Sequence, residues 1–455
     1  MKRFANQIPQ SLRNSTSRSV KSAMSKPRFG PTGIVRSEMK NGIKITSAQD
    51  TGFMFAACTI MFQAGSRYET HDDLGATHFL RLASTGGGCR ATAFSKLRVL
   101  QQAGAYITTT LDRQTVAYTL RCPLHMFSDL KYYLLDTAVG CCYHDWEITD
   151  LKRIVRGDLN RIHPEQRVID LIQKAAWAGP LANSVYCEED RIDSMDGEKL
   201  RNYVSMNFIP PMCSVASVGV PFEETMKIAE KIERSSEEHL PQSQKVYPRM
   251  GHEYYDLGPD SDTWIAVAVP SCDSWDFQGV FKHAIIASAC GTDNMQEGMT
   301  SMNRIPQSPL GLISDKDVHT DCRAFNISYI DTGLFGILAK TPSCSAYRIS
   351  KMIAEFLARV GELGVTQIEE GKERLLLNLA IHDEDCVRIC EGLALQSLYN
   401  SQIDCAENSA KIIQGISSEE VSATAKLLSS KCHQMAIAIV GDIGVVPVDQ
   451  DIFRR

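Results

Sequence analysis

The sequence predicts an α+β protein built of two homologous halves, each a mostly antiparallel sheet covered by helices. Three observations predict it. Short apolar, strand-like runs are mixed with stretches of helical periodicity. The same order of elements runs through the chain twice. A polar stretch rich in Ser, Gln, Glu and Pro separates the two passes. The length of 455 residues exceeds a single core, and 44% hydrophobic with 22% charged residues is the balance of a globular chain.

In the first half, Phe53 to Phe62 is apolar and strand-like and ends at Gly65. Helical periodicity follows from His78, and again through Leu97, Leu100 and Gln101 before Gly104. Thr115 to Leu120 reads as a strand. A helix follows with Met126, Leu130, Tyr133 and Leu134 as its stripe. The helical region from Trp146 to about Trp177 contains Pro164, which divides it into two helices. Met212 to Val220 closes the half as a strand, and a helix runs from about Phe222 to Arg234.

The second half repeats this order. Trp264–Val269 is a strand and Phe277–Ala289 a helix. Phe325–Tyr329 and Leu334–Ala339 pair around Asp331-Thr332-Gly333. A helix spans about Ala346 to Val360, a helical pair runs from Gln367 to Tyr399, and Gln434–Gly441 closes the half. Three landmarks share one spacing. Ile148 and Ile368 are 220 residues apart, the Ile-His pairs at 162–163 and 381–382 are 219 apart, and the Val-Gly pairs at 218–219 and 440–441 are 222 apart. Each match is weak alone; their agreement argues for duplication.

Residues 1–37 hold no Asp or Glu but carry Lys2, Arg3, Arg13, Arg18, Lys21, Lys26, Arg28 and Arg36. Phe4, Ile8 and Leu12 recur every four residues, and serines are frequent. This is the pattern of a mitochondrial transit segment. The expected division is a presequence over 1–32, a first half over 33–238, a linker over 239–258 and a second half over 259–455. No run of 18 or more apolar residues occurs, so membrane association is expected through partners only.

The net charge of −6 and the lack of a basic stripe past residue 40 argue against a nucleic-acid partner. The fifteen cysteines include no Cys-x-x-Cys pair. Cys141-Cys142 with His144, and Cys386 with Cys390, come nearest to ligand spacing, but free buried thiols in a reducing compartment are the expectation. There is no Cys-x-x-Cys-His for haem and no iron–sulfur cysteine run. No redox centre, cofactor or metal is expected.

The stretch Leu74 to Ser84 has the outline of a metal-protease helix. An inverzincin helix reads His-x-x-Glu-His, with both histidines on one face and the Glu as general base. Here His78 is present, but Arg81 takes the Glu position and Leu82 that of the second His. Leu82 has no lone pair for a metal, and Arg81 stays protonated. At an effective dielectric near 20, unit charges about 4 Å apart repel by roughly 4 kcal/mol, and a dication would feel about twice that from Arg81.

Four stretches carry a family resemblance: Gly65-Ser66-Arg67-Tyr68-Glu69, Leu74 to Leu82, Leu181 to Cys187 with Arg191-Ile192, and Phe325 to Ile337. On these the chain resembles the pitrilysin family in its mitochondrial branch, the processing-peptidase subunits and the core proteins of the cytochrome bc complex. The likeness covers nearly all of the chain past residue 38. It implies two processing-peptidase-like halves facing each other around a central cavity.

Active members of that family also use a Glu ligand on the long helix of the first half. With Glu147 as the upstream acidic residue of that helix, the ligand one repeat later falls on Ile154. The resemblance therefore implies no catalytic, cofactor or metal residues. It implies a structural subunit of respiratory complex III (ubiquinol–cytochrome c reductase), peripheral on the matrix side of the mitochondrial inner membrane. The partners implied are a related core protein 1-like subunit, cytochrome b, cytochrome c1 and the iron–sulfur subunit, in a dimeric assembly. The alternative is a non-catalytic, presequence-recognising subunit of the processing peptidase. The recognising subunit's glycine-rich loop corresponds to Gly291–Met299, which has two separated glycines and no glycine run. The acidic group Asp383, Glu384 and Asp385 beside His382 reads as a loop between helices.

Overall fold

The structure, a computed structural model, describes residues 32–50, 52–232, 245–291, 308–314, 319–399 and 406–446. The expected presequence, apart from Thr32, lies outside the described residues, as does the loop after Gly291.

The first half opens with β1 (Thr32–Glu38), β2 (Lys44–Asp50) and β3 (Phe55–Phe62), then α1 (Ala76–Ala83) and α2 (Ala93–Gln102). A hairpin of β4 (Tyr106–Leu111) and β5 (Val116–Pro123) leads to α3 (Phe127–Val139). The long helices α4 (Asp145–Leu159) and α5 (Pro164–Ala176) follow. Pro164 opens α5 at its first turn, where a missing N–H is harmless, which is why the helical run breaks there. The two-residue strand β6 (Trp177–Ala178), α6 (Gly197–Asn207), β7 (Cys213–Val218) and α7 (Phe222–Ala229) complete the half.

The second half comprises β8 (Tyr247–Pro248), β9 (His252–Asp256), β10 (Thr263–Pro270), α8 (Phe277–Cys290) and α9 (Pro309–Ser314). It continues with β11 (Asp321–Ser328), β12 (Gly333–Thr341), α10 (Ala346–Ala358), α11 (Val365–His382) and α12 (Cys386–Tyr399). It ends with α13 (Ala406–Gly415), α14 (Ser418–Ser430) and β13 (Ala436–Gly441).

The two sheets have one plan. The first runs β1-β2-β7-β3-β5-β4; the second, read from its far edge, runs β9-β13-β10-β12-β11. In each, one edge-side pair is parallel, β2 with β7 and β9 with β13, and the other corresponding pairs are antiparallel. The paired elements α3/α10, α4/α11, α5/α12 and β7/β13 start 219, 220, 222 and 223 residues apart. The duplication read from sequence landmarks is thus the duplication of the fold.

Residues 252–256, expected in the linker, are an edge strand of the second sheet. Their composition misled because an edge strand keeps part of its surface wet, so His252, Glu253, Tyr254, Tyr255 and Asp256 carry little apolar pattern. The strands β1, β2 and β4 were likewise not legible as strands; β1 and β4 are the two edges of their sheet.

The central strands are apolar on both faces. Cys58, Ile60 and Phe62 of β3 join one core with α1, α3 and α4. Ala57 and Met61, with Ala48, Ala117 and Ala216, form a flat face of small side chains on the other side. The helix on that face is α12, from the second half, through Ile389, Leu393 and Leu398. The converse holds across the molecule. Ala266, Ala268, Ala436 and Ala438 of the second sheet are covered by Val168, Ile172, Ala175 and Ala176 of α5, from the first half. Each half lends its neighbour a helix, and each fully buried aliphatic side chain so placed contributes roughly 1.5–3 kcal/mol.

Cys89 and Cys142 form a disulfide, against the expectation of free thiols throughout. Their separation of 53 residues matches no ligand or redox motif; α3 brings them together by returning the chain to the loop before α2. Cys386 and Cys390 are buried on α12 against the first sheet. Among the described residues no helix is long and apolar enough to cross a membrane.

Candidate functional site

Helix α1 starts at Gly75, whose φ of 93° is a left-handed conformation suited to glycine. A Cβ there would also lie 2.5 Å from Cys187 Sγ. The free N–H groups of the helix start are satisfied by Glu69, which accepts from Gly75 N–H at 2.9 Å, Thr77 N–H at 2.8 Å and the Thr77 hydroxyl at 2.7 Å. Burial pushes the Glu69 carboxyl up to about 7 despite these donors.

His78 is fully buried. Its Nδ1 accepts from the Cys187 N–H at 3.2 Å, so the ring proton sits on Nε2. Nε2 donates to Asp158 Oδ2 at 2.9 Å. Arg81, one turn along α1, donates to the same oxygen. Burial holds the His78 ring below its ordinary value, with the Asp158 hydrogen bond opposing. Burial pushes the Asp158 carboxyl up, but the His78 hydrogen bond and the Arg81 charge outweigh it, so the carboxyl titrates below its usual range.

Asp158 was missed from the sequence. The reading of α4 placed the third ligand position on Ile154, which is 51% exposed and lines the cavity with Leu82. The residue facing His78 is Asp158, four positions later, where α4 crosses α1. Spacing within one helix could not reveal this, because the crossing point of two helices decides it. Glu147 sits at the start of α4 and accepts from the His144 N–H at 3.3 Å, a capping contact.

The arrangement does not fit a zinc ion. His78 Nε2 and Asp158 Oδ2 are the two donors a metal would use, and they face each other. The Arg81 guanidinium lies against Asp158 and supplies the positive charge a metal would bring. Leu82 offers no donor and is half-buried beside a cavity of about 500 Å³, so its apolar contribution is smaller than full burial would give. Among the described residues no group of three or more His, Cys, Asp or Glu side chains is placed to hold a metal. At the acidic turn, Asp385 accepts from the Val387 N–H at 3.1 Å at the start of α12, so it serves as a helix start.

The stretches that carry the family resemblance converge. Asn183 donates to the Ser66 carbonyl at 3.1 Å, and the Ser66 hydroxyl donates to the Asn183 carbonyl at 3.2 Å. Cys187 holds His78. Arg67 reaches across to the second half and binds Asp331 with both terminal nitrogens, at 2.8 and 2.6 Å. With its amide oriented to satisfy both, Gln114 accepts from Arg67 at 3.0 Å and from the Ile330 N–H at 3.2 Å. Nearby, Arg113 donates to the Asp170 carboxylate at 2.7 Å and to the Leu181 carbonyl at 3.0 Å, fixing α5.

Comparison with known proteins agrees with the resemblance. Residues 44–189 match the family described as Insulinase (Peptidase family M16). The chain is similar to the human (Homo sapiens) protein named cytochrome b-c1 complex subunit 2, mitochondrial, at 24% identity over 425 residues, 92% of this chain and 91% of that one. The Rattus norvegicus protein of the same name is 23% identical over 431 residues, 92% of each chain. A probable mitochondrial-processing peptidase subunit alpha-1 of Arabidopsis thaliana is 22% identical over 427 residues, 92% of this chain and 83% of that one.

Proposed function

We propose that this chain, a relative of the cytochrome b-c1 complex subunit 2 proteins and of the processing-peptidase subunits, is a non-catalytic core subunit of mitochondrial respiratory complex III. In this reading it is of the core protein 2 type and lies on the matrix side of the inner membrane. It docks against a core protein 1-like subunit and supports the cytochrome b, cytochrome c1 and iron–sulfur subunits, which carry out quinol-to-cytochrome c electron transfer. The observation that carries the non-catalytic part is the Arg81 guanidinium on Asp158, beside Leu82. A fixed cation stands where a peptidase of this family would need an exchangeable one. The near full-length likeness to proteins named for the b-c1 complex supports the rest. The test is native-gel separation of mitochondrial membranes. The chain should co-migrate with cytochromes b and c1, and its loss should remove the assembled complex. Normal complex levels without it would overturn the reading.

The likeness to a processing-peptidase alpha subunit over 92% of the chain favours one second reading, a presequence-recognising subunit of that peptidase. Binding of a basic presequence peptide, together with co-purification of a catalytic partner, would establish it instead.

A further inference from the structure

The Cys89–Cys142 bridge lies directly behind the wall of the cavity that Leu82 lines. Gly86, Gly87 and Gly88, just before Cys89, line that cavity, as do Cys141 and Tyr143 on either side of Cys142. The bridge therefore ties one wall to the other. Three features make the tie consequential. Gly88 lies over the buried Asp136: a Cβ at Gly88 would come within 2.1 Å of Asp136 Oδ2, an oxygen that accepts no hydrogen bond. Tyr143, next to Cys142, has a φ of 49°, in the left-handed region that a bulky residue avoids. Its carbonyl is gripped by Arg201 at 2.7 Å. Cys89 is the more exposed residue of the pair, which places the bridge within reach of a reductant from its side.

We propose that Cys89–Cys142 is a redox modification site, a latch that a dithiol reductant opens to release the Gly86–Gly88 wall of the cavity. The Cys89 sulfur is the one attacked. A thiolate of the dithiol bonds to Cys89 Sγ, the Cys89–Cys142 bond breaks, and Cys142 leaves as a thiolate that takes up a proton. The second thiol of the reductant then displaces Cys89, which is protonated in turn, and the reductant departs as its own disulfide. Two electrons and two protons pass from the dithiol to the protein. With the tie released, the loop is held to the end of α3 by single hydrogen bonds, the Cys89 N–H on the Gly140 carbonyl at 2.9 Å and the Arg90 N–H on Asp136 Oδ1 at 3.3 Å, which open more readily than a covalent link. Cys141 plays no part in the exchange: its thiol donates to the Thr137 carbonyl at 3.3 Å, and burial pushes it further from the thiolate.

The test uses the full chain, oxidised or treated with dithiothreitol, and reads trypsin cleavage after the exposed Arg90. Reduction should speed cleavage at Arg90 by about ten-fold or more, because the loop then opens without global unfolding. Cys142→Ser should cleave at the fast rate with or without reductant, and Cys141→Ser should behave as the parent. Alkylation followed by peptide mass analysis of the parent gives an independent readout, valid even if a variant fails to fold. Cys89 and Cys142 should be protected before reduction and labelled after it. Labelling of both without reductant, or equal cleavage of the oxidised and reduced chains, would overturn the proposal.

Discussion

Arg67 in the first half and Asp331 in the second are joined by two parallel hydrogen bonds, with the Arg67 side chain buried and Asp331 partly exposed. Both belong to stretches that carry the family resemblance, and both lie at the seam between the halves. Removing the carboxylate leaves a buried guanidinium without its charged partner, with the neutral Gln114 amide still accepting from it. Asp331→Ala should therefore lower unfolding free energy by about 2–3 kcal/mol, with Arg67→Lys failing to substitute for the fork geometry. Denaturant unfolding followed by circular dichroism measures this; a loss within error of zero would mean that the seam is held elsewhere.

The cluster of His78, Arg81 and Asp158 makes a prediction about metal. Leu82→His alone should bind no zinc, because Arg81 still occupies the Asp158 carboxylate. Arg81→Glu combined with Leu82→His frees Asp158 and supplies a second histidine, and should take up about one zinc per chain. Equilibrium dialysis with metal analysis distinguishes the two. Zinc uptake by the single variant would show that Arg81 is not the barrier.

Acid should weaken the same contact through two groups acting in one direction. The folded His78 ring titrates below its unfolded value, so in the fold it binds fewer protons than the unfolded chain. Stability is then lost as pH falls below about 6.5 and is unchanged by His78 above that. Asp158, also depressed, adds a loss at lower pH, as the medium passes its unfolded and then its folded value. His78→Gln should flatten the slope of unfolding free energy as pH falls below about 6.5. An unchanged slope would assign the acid sensitivity to other groups.

The exchanged helices give a prediction that crosses the halves. Ile172 is fully buried on α5 but packs in the core of the second sheet. Ile172→Ala should cost about 2–4 kcal/mol. Hydrogen exchange should quicken in β10 and β13, although the substitution lies in the first half. Faster exchange confined to β3, β5 and β7 would contradict the packing described.

Much of this was legible in the sequence. The Ile148/Ile368 and Val218-Gly219/Val440-Gly441 landmarks report the duplication, because a repeated fold repeats its buried positions. The strands that face cores on both sides, such as β3 and β10, announced themselves as apolar runs. Edge strands such as β4 and β9 did not, since half-wet strands carry weaker patterns. Asp158 and the Cys89–Cys142 pair were invisible for another reason: each depends on where two elements meet in space, and one-dimensional spacing does not encode a crossing point. The helix exchange was hidden likewise, because an amphipathic helix does not state whose sheet it will cover.

That exchange has a consequence for how the chain is made. Helix α5 is complete about 260 residues before β13, a strand of the sheet it covers, and at roughly 5–20 residues per second that is a wait of tens of seconds. Val168 and Ile172 have no sheet to lie on until β10 and β12 emerge, and their cover is complete only with β13. The first half therefore emerges with the apolar face of α5 uncovered, a surface open to aggregation until the strands of the second sheet arrive. A holding chaperone present during synthesis should therefore raise the soluble yield, whatever the stability of the finished protein.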